Sequence, residues 1–439
     1  MSGDGARTRV IIIGGGFAGV ACARKLASDK EVAVTLIDRN DYHQFQPLLY
    51  QVATSMLAAR DIAYPLRRIA AEYDDFDAKR GEVVAVDPVA HTVTTSTGET
   101  YAGDYIVLAA GSQPNFFGTP GAEHAFPLYS LDDADRLRTR IIQAFEEADR
   151  DPRLADEGAI DFVVVGGGPT GVEVAGALSE MINTTMVHEF PALAPRAKVH
   201  LVDHGKALLG MFADKAHAYS ARILEKDGVD LRMGTGVTEI GPGHVTLSDG
   251  SMIKTRCVVW GGGLMAAPVA GSSGLPQGRG GRIDVATDFT VAGFPGVLVI
   301  GDIANIPAKD GKTHPQLGSV ALQSGQWAAK TILGDRQRQA AKPFKYLDKG
   351  TMAMIGRGAA VAQVKGVELH GKVAFAAWLG VHAALMTGGS NRVDAFKSWA
   401  QDFFGKERAP QALDRSGTAR MQWDEDDAVV TASTRGGQG

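Results

Sequence analysis

The sequence predicts an α/β protein with two parallel-sheet domains and a C-terminal amphipathic helical region. Three observations carry that expectation. A buried strand, a glycine turn, a helix and a second buried strand follow one another from Val10 to Asp38. The same pattern recurs from Asp161 to Asp203. From Phe375 onward, aromatic and aliphatic residues fall at helical spacing beside basic ones.

Val10-Ile11-Ile12-Ile13 reads as a strand buried on both faces. Gly14-Gly15-Gly16-Phe17-Ala18-Gly19 then turns the chain into a helix that runs through Leu26. Gly14 permits the tight turn. Gly16 has no side chain, so a pyrophosphate can approach the backbone, and Gly19 lets the helix pack close to the strand. The first helical turn offers free N–H groups and the positive end of the dipole to phosphates. Asp38 closes the second strand about twenty residues on, where a carboxylate accepts hydrogen bonds from ribose hydroxyls. Strand, helix and acid agree on a Rossmann-type dinucleotide site.

The second copy places Gly166-Gly167-Gly168-Pro169-Thr170-Gly171 between the strand Asp161–Val165 and a helix from Val172 to Met181. Asp203 ends the strand Lys198–Val202. The gap from Gly171 to Asp203 is about ten residues longer than usual, the excess falling around Met186 to Pro195. An acid at position 203 favours NADH over NADPH, while His204 and Lys206 beside it leave that preference open. Two such units in one chain imply two nucleotides bound at once, one of them a flavin, with hydride transfer between them. Glu173 falls in the first turn of the second helix. It serves either as a dipole partner or as a group beside flavin and nicotinamide that orients them or mediates protons.

The rest of the chain fits around these units. Arg39 to Gln51 is dense in polar and aromatic residues, as a ring system lying on the sheet would require. Asp61 to Ile69 looks helical. Val83–Asp87, His91–Ser96 and Glu99–Ala102 alternate as a meander. Tyr105 to Ser112 is a buried strand ending in small residues. Asp132–Arg150 is a charged, exposed helix, and Asp151–Ala159 a linker. Val229–Met233, His244–Leu247 and Met252–Ile253 form a second small meander, and Cys257 to Gly263 ends the second domain. Val297 to Asp302 returns to the first lobe, with Gly301 permitting close approach and Asp302 reaching a ribityl hydroxyl or, through water, a phosphate. Pro315 opens a helix to Ile332 whose amides face the end of a flavin where negative charge accumulates on reduction. Thr351–Val364 alternates as strand. Phe375, Trp378, Leu379, His382, Leu385 and Met386, then Val393, Phe396, Ala400 and Phe403, form stripes too short to span a bilayer and suited to an interface, a dimer or both. Residues 405–439 read as a disordered tail.

Composition limits the remaining classes. With 439 residues the chain has room for two or three domains. Its net charge of −5 argues against a nucleic-acid binder. Cys22 and Cys257 form no CxxC and read as buried thiols in a reducing compartment. Met1–Arg9 lacks the apolar core of a secretory signal, and no run of about eighteen apolar residues predicts a spanning helix. No metal site is among the candidates.

Asp38-Arg39-Asn40-Asp41-Tyr42-His43, Gln46 to Thr54, Gly166 to Gly176 and Trp378…His382…Asn391-Arg392 resemble the type II NADH:quinone oxidoreductases, single-subunit respiratory NADH dehydrogenases that do not pump protons. The resemblance spans about Arg9 to Phe404. It implies a glutathione-reductase-like pair of domains with non-covalent FAD in the first and NADH in the second. Residues 1–120 and 281–345 would bind FAD, 121–280 NADH, and 346–404 the membrane or a partner. It implies a quinone beneath the flavin and a homodimer seated on the cytoplasmic face of the cell membrane. FAD contacts would come from Gly14, Gly16, Phe17, Gly19, Asp38, Arg39, Gln46, Gly111, Gly301, Asp302 and Leu322. NADH contacts would come from Gly166, Gly168, Gly171, Asp203 and Gly262. Glu173 and Gln323 would be catalytic, with Ser319 and Gln323 at the quinone. Many members carry glutamine where this chain has Ser319, and a Gln-Gln pair where it has Gln323-Ser324. The alternative is a soluble FAD-dependent NAD(P)H reductase of a ferredoxin-like protein or small acceptor. Disulfide reductase and sulfide:quinone chemistry both need a cysteine pair that the sequence does not supply, and a redox sensor would bind both nucleotides without turnover.

Overall fold

The computed structural model describes residues 7–309 and 311–404; the tail expected at 405–439 lies outside them. The chain forms two compact units, each assembled from separate stretches. The first comprises the chain up to Gln44, Ala63–Gln113 and Leu264–Lys349. The second comprises Phe45–Ile62, Pro114–Gly263 and the chain from Gly350 onward.

In the first unit, Thr8–Ile13 lies centrally in a six-stranded sheet. It pairs in parallel with Val32–Asp38 on one side and Tyr105–Leu108 on the other. Phe76–Arg80 extends one edge, and Phe294–Val299 adds to Tyr105–Leu108. Val10, Ile12, Leu36, Ile106, Val107 and Leu108 are fully buried, which is why these strands read as unbroken apolar runs rather than alternating ones. The helices Phe17–Leu26 and Gly318–Arg336 pack closely because Gly325 has no side chain. A Cβ there would lie 2.1 Å from the Ala18 carbonyl oxygen. The meander Val83–Asp87, Thr92–Thr95, Thr100–Ala102 belongs to this unit.

The second unit repeats the design. Asp161–Val165 sits between Lys198–Asp203 and Cys257–Trp260 in a five-stranded parallel sheet. Val229–Met233 closes one edge, and Phe126–Pro127 the other. A three-stranded antiparallel sheet from Thr351 to His370 follows, then the helices Gly371–Leu385 and Gly389–Phe404.

Three expectations need correction. Asp61–Ile69 is not one helix: Ala59–Ile62 and Leu66–Ala70 are separated by the strand Ala63–Pro65. Pro65 bars Tyr64 from the helical region. The charged helix, Leu131–Arg150, is not simply exposed. A capping box of Ser130 and Asp133 starts it, and Leu137, Ile141 and Phe145 are fully buried. Its buried Arg140 is neutralised by a two-pronged contact with Glu147, both distances 3.3 Å. The stretch after Met181 continues as a π-helical turn, Ile182–Met186, and a short helix, Val187–Glu189, before a turn and the 3-10 helix Ala194–Arg196, so only part of the additional length of the second repeat extends its helix.

Candidate functional site

Each unit carries a glycine cradle, and the two are built alike. In the first, Gly14 takes φ +108°, a conformation that excludes most side chains. A Cβ there would strike the Ala109 carbonyl at 2.3 Å. Gly19 meets Gly14 so closely that a Cβ would sit 1.8 Å from its oxygen. Gly15 N–H donates to Asp38 Oδ2 at 2.6 Å and Asn40 N–H to Oδ1 at 2.7 Å. The second unit matches this arrangement. Gly166 takes φ +111°, and a Cβ on Gly171 would lie 1.7 Å from the Gly166 oxygen. Gly167 N–H donates to Asp203 Oδ2 at 2.6 Å and Gly205 N–H to Oδ1 at 2.5 Å. Each carboxylate still has lone pairs left for a ligand's hydroxyls.

Gly16 and Gly168 behave differently from their neighbours. A Cβ on either would meet no protein atom within 4 Å. Both are N-caps in extended conformation without a side-chain cap. Neither packing nor backbone strain requires glycine at these two positions. What requires it is space in front of an uncapped helix N-terminus, which is what a pyrophosphate needs. The residues present therefore fit a dinucleotide in each unit.

The first cradle has supports that sequence reasoning did not assign. His43 is buried beneath the turn, its Nδ1 2.9 Å from the Gly15 carbonyl and its ring edge-on to Phe17 at 5.3 Å. Burial lowers its pKa, so the neutral ring donates from Nδ1. Its place in the polar-aromatic loop was the available signal. Gly111 and Gly301 both take positive φ. Gly301 N–H donates to Ser324 Oγ at 3.1 Å. Asp302 accepts from Ser112 Oγ at 3.4 Å, and Gln316 Nε2 donates to its carbonyl at 3.0 Å. Burial pushes the Asp302 carboxyl up to about 6, against the pull of Ser112 and Arg282. Leu322 is half-buried, Arg39 is exposed, and Gln46 opens a short turn in the second unit.

Ser319 and Gln323 both lie on Gly318–Arg336 and both hold the following strand of chain. Ser319 Oγ is 2.9 Å from the Tyr346 hydroxyl. Gln323 Nε2 donates to the Leu347 carbonyl at 3.0 Å while its Oε1 accepts from Leu347 N–H at 2.9 Å. Trp327 Nε1 donates to the Lys342 carbonyl at 2.9 Å, one turn further on. The side-chain amide of Gln323 thus lies pinned to the backbone in an arrangement that residue type alone does not reveal.

In the second unit, Glu173 accepts from Met354 N–H at 3.2 Å. Desolvation pushes its carboxyl up to about 8, with Met354 and Trp378 pulling the other way. Trp378 is fully buried and its Nε1 has no partner within hydrogen-bond geometry. It influences Glu173 as a nearby dipole rather than through a formed bond. His382 stacks on Trp378 at 4.0 Å and bonds its carbonyl through Nδ1 at 2.8 Å. Burial drops its pKa to about 4, so it is neutral. A Cβ on Gly262 would lie 3.1 Å from the Trp260 indole. Both thiols are buried, one in each unit, with pKa values raised by desolvation, Cys257 to about 12.

The pyridine nucleotide-disulphide oxidoreductase family profile matches residues 8–325. The chain is 37% identical over 433 residues to the type II NADH:quinone oxidoreductase NdhA of Mycobacterium tuberculosis, covering 94% of this chain and 90% of that protein. It is a type II NADH:quinone oxidoreductase by family. Ndh of the same organism is 35% identical over 95% of this chain and 92% of its own length. The solved NDH2 of Plasmodium falciparum in complex with NADH shares the fold at a TM-score of 0.86 and 17% identity, covering 92% of this chain and all of that one. A ferredoxin reductase from Rhodopseudomonas palustris, at a TM-score of 0.65 and 18% identity over 85% of this chain and 94% of its own, shares the fold alone. Membership in the type II family favours the quinone reductase over the soluble ferredoxin-type alternative.

Proposed function

We propose that this type II oxidoreductase oxidises NADH and reduces a membrane quinone, using non-covalent FAD and pumping no protons. The observation that carries the reading is the pair of open glycines, Gly16 and Gly168, each before an uncapped helix and beside a doubly bonded acid. FAD, when bound, accepts hydride at N5 and passes on two electrons. Gly14, Gly16, Phe17, Gly19, Asp38, Arg39, Gln46, Gly111, Gly301, Asp302 and Leu322 would hold it. Gly166, Gly168, Gly171, Asp203 and Gly262 would hold NADH, Asp203 accepting from the ribose. On this reading residues 1–120 and 281–345 serve FAD, and 121–280 serve NADH.

A quinone takes two electrons and two protons, and NADH supplies two electrons with one proton. One more proton must come from water or a protein acid. Burial pushes the Glu173 carboxyl up to about 8, so it is suited to hold that proton and release it. Ser319 and Gln323 would shape the quinone end, Gln323 by holding Leu347. No helix among the described residues is long and apolar enough to cross a membrane. The exposed Val373, Val381, Leu385, Val393 and Phe396 support residues 346–404 as a surface for the cytoplasmic membrane face and for a homodimer. Anaerobic NADH should bleach the flavin, and a menaquinone or ubiquinone analogue should restore its colour. A flavin spectrum indifferent to NADH would refute the assignment, and recovery only with soluble acceptors would remove the quinone.

A further inference from the structure

A turn at residues 116–119 of the second unit carries an aromatic ring that packing does not explain. Thr119 N–H donates to the Phe116 carbonyl at 2.9 Å, and the two residues between take positive φ, Phe117 +53° and Gly118 +73°. A turn of that hand is most readily made by Asn-Gly or Gly-Gly, and a bulky side chain at its first central position is strained. Phe116 anchors the turn, its ring 5.3 Å from that of the buried Trp260. Asn115 braces it. Its N–H donates to the Gly263 carbonyl at 3.0 Å, its carbonyl accepts from Trp260 Nε1 at 2.9 Å, and its Oδ1 accepts from Phe117 N–H at 2.9 Å. Phe117 itself is 68% exposed and lies against Gly263, where a Cβ would sit 2.9 Å from the ring's Cζ. An exposed ring held in a strained backbone contributes little to the core, and such strain gathers where function needs it.

The strand order gives that ring a place relative to the cradle. Asp203 ends the strand on one side of Asp161–Val165, and Gly261, Gly262 and Gly263 follow Cys257–Trp260 on the other. A dinucleotide with its pyrophosphate before Gly168 and its adenosine ribose at Asp203 carries its other half past the strand ends toward those three glycines. Gly261 adjoins the cradle: a Cβ there would lie 3.4 Å from the Gly171 nitrogen. Gly263, against Phe117, is at most about 7 Å of backbone further on, a distance that a nicotinamide riboside spans. We propose that Phe117 packs its ring on the nicotinamide of the dinucleotide and sets the angle at which C4 is presented. The proposal rests on the second cradle's being the NADH site. Flat rings of this kind attract one another beyond the area they bury, and the pyridinium of NAD+ gains further from an aromatic face.

The probes are NAD+ and ADP-ribose, which lacks the nicotinamide, each titrated by calorimetry into the full-length flavoprotein. Phe117→Gly and Phe117→Ala should each weaken NAD+ binding roughly fivefold and leave ADP-ribose binding as it was. Phe117→Tyr, which returns a ring, should restore the affinity for NAD+. Glycine suits the left-handed turn, so Phe117→Gly should keep or raise Tm. In that variant, bleaching of the flavin by saturating NADH without oxygen should slow about tenfold, because the nicotinamide is held less well. Unchanged NAD+ affinity in Phe117→Gly overturns the proposal. So does an equal loss for ADP-ribose, or a Tm lowered by several degrees, either of which makes the ring a packing element of the turn. If the wild type binds neither probe and NADH leaves its flavin unbleached, the NADH reading of the second unit fails and the proposal falls with it. If the wild type binds both and is bleached, and Phe117→Gly matches it throughout, the proposal alone fails.

Discussion

Glu173 shows how a single side chain can make stability depend on pH. Burial pushes its carboxyl up to about 8 in the folded chain, from an ordinary glutamate value of 4.5. Between those values the folded state binds one proton more than the unfolded state, so stability falls as pH rises across that window. Glu173→Gln stays neutral throughout. Its denaturation midpoint should gain steadily on the wild type from pH 4.5 to 8, by at most about 1.4 kcal/mol per pH unit. Parallel stability curves for the two proteins would show that Glu173 is not desolvated in the fold. Asp203 bears on cofactor choice. Asp203→Ser removes the carboxylate from Gly167 and Gly205 and from the ribose it is proposed to bind. NADH kcat/KM should fall at least tenfold, about 1.4 kcal/mol, while NADPH loses less. Equal losses for both nucleotides would leave Asp203 a merely structural cap.

The two βα turns separate packing from binding at the level of the element. Gly19→Ala forces a Cβ against the Gly14 oxygen and should disrupt the turn, lowering Tm and flavin content together. Gly16→Ala meets no protein atom. The apoprotein should keep its Tm within a degree or two while FAD reconstitution is lost, and a Gly16→Ala chain that retains flavin normally would argue against the pyrophosphate position. These turns were legible in the sequence because their requirements are local: positive φ, close approach and an acid at a fixed distance. The same holds for the strands around them, whose apolar runs record burial on both faces. What lay hidden depends on contacts distant in sequence. Nothing near Gln323 announces that its amide meets Leu347, and nothing near Glu173 announces Met354. The buried face of Leu131–Arg150 was masked by its many charges, because Arg140 and Glu147 satisfy each other out of water.

For the molecule as a whole, the C-terminal helices carry the proposed attachment. Val373, Val381 and Val393 are exposed without evident need. Replacing all three with aspartate should release the protein from anionic vesicles while NADH still bleaches the flavin. Vesicle binding that persists in this triple variant would place the attachment elsewhere. The chain's path also has a physical cost. The strand Tyr105–Leu108 receives its outer neighbour only from Val297–Val299. On a ribosome adding about 5–20 residues per second, the wait lasts roughly ten to forty seconds. Until then an apolar strand edge stands open to other nascent chains, so this enzyme should depend on chaperones during its synthesis far more than its finished sheet would suggest.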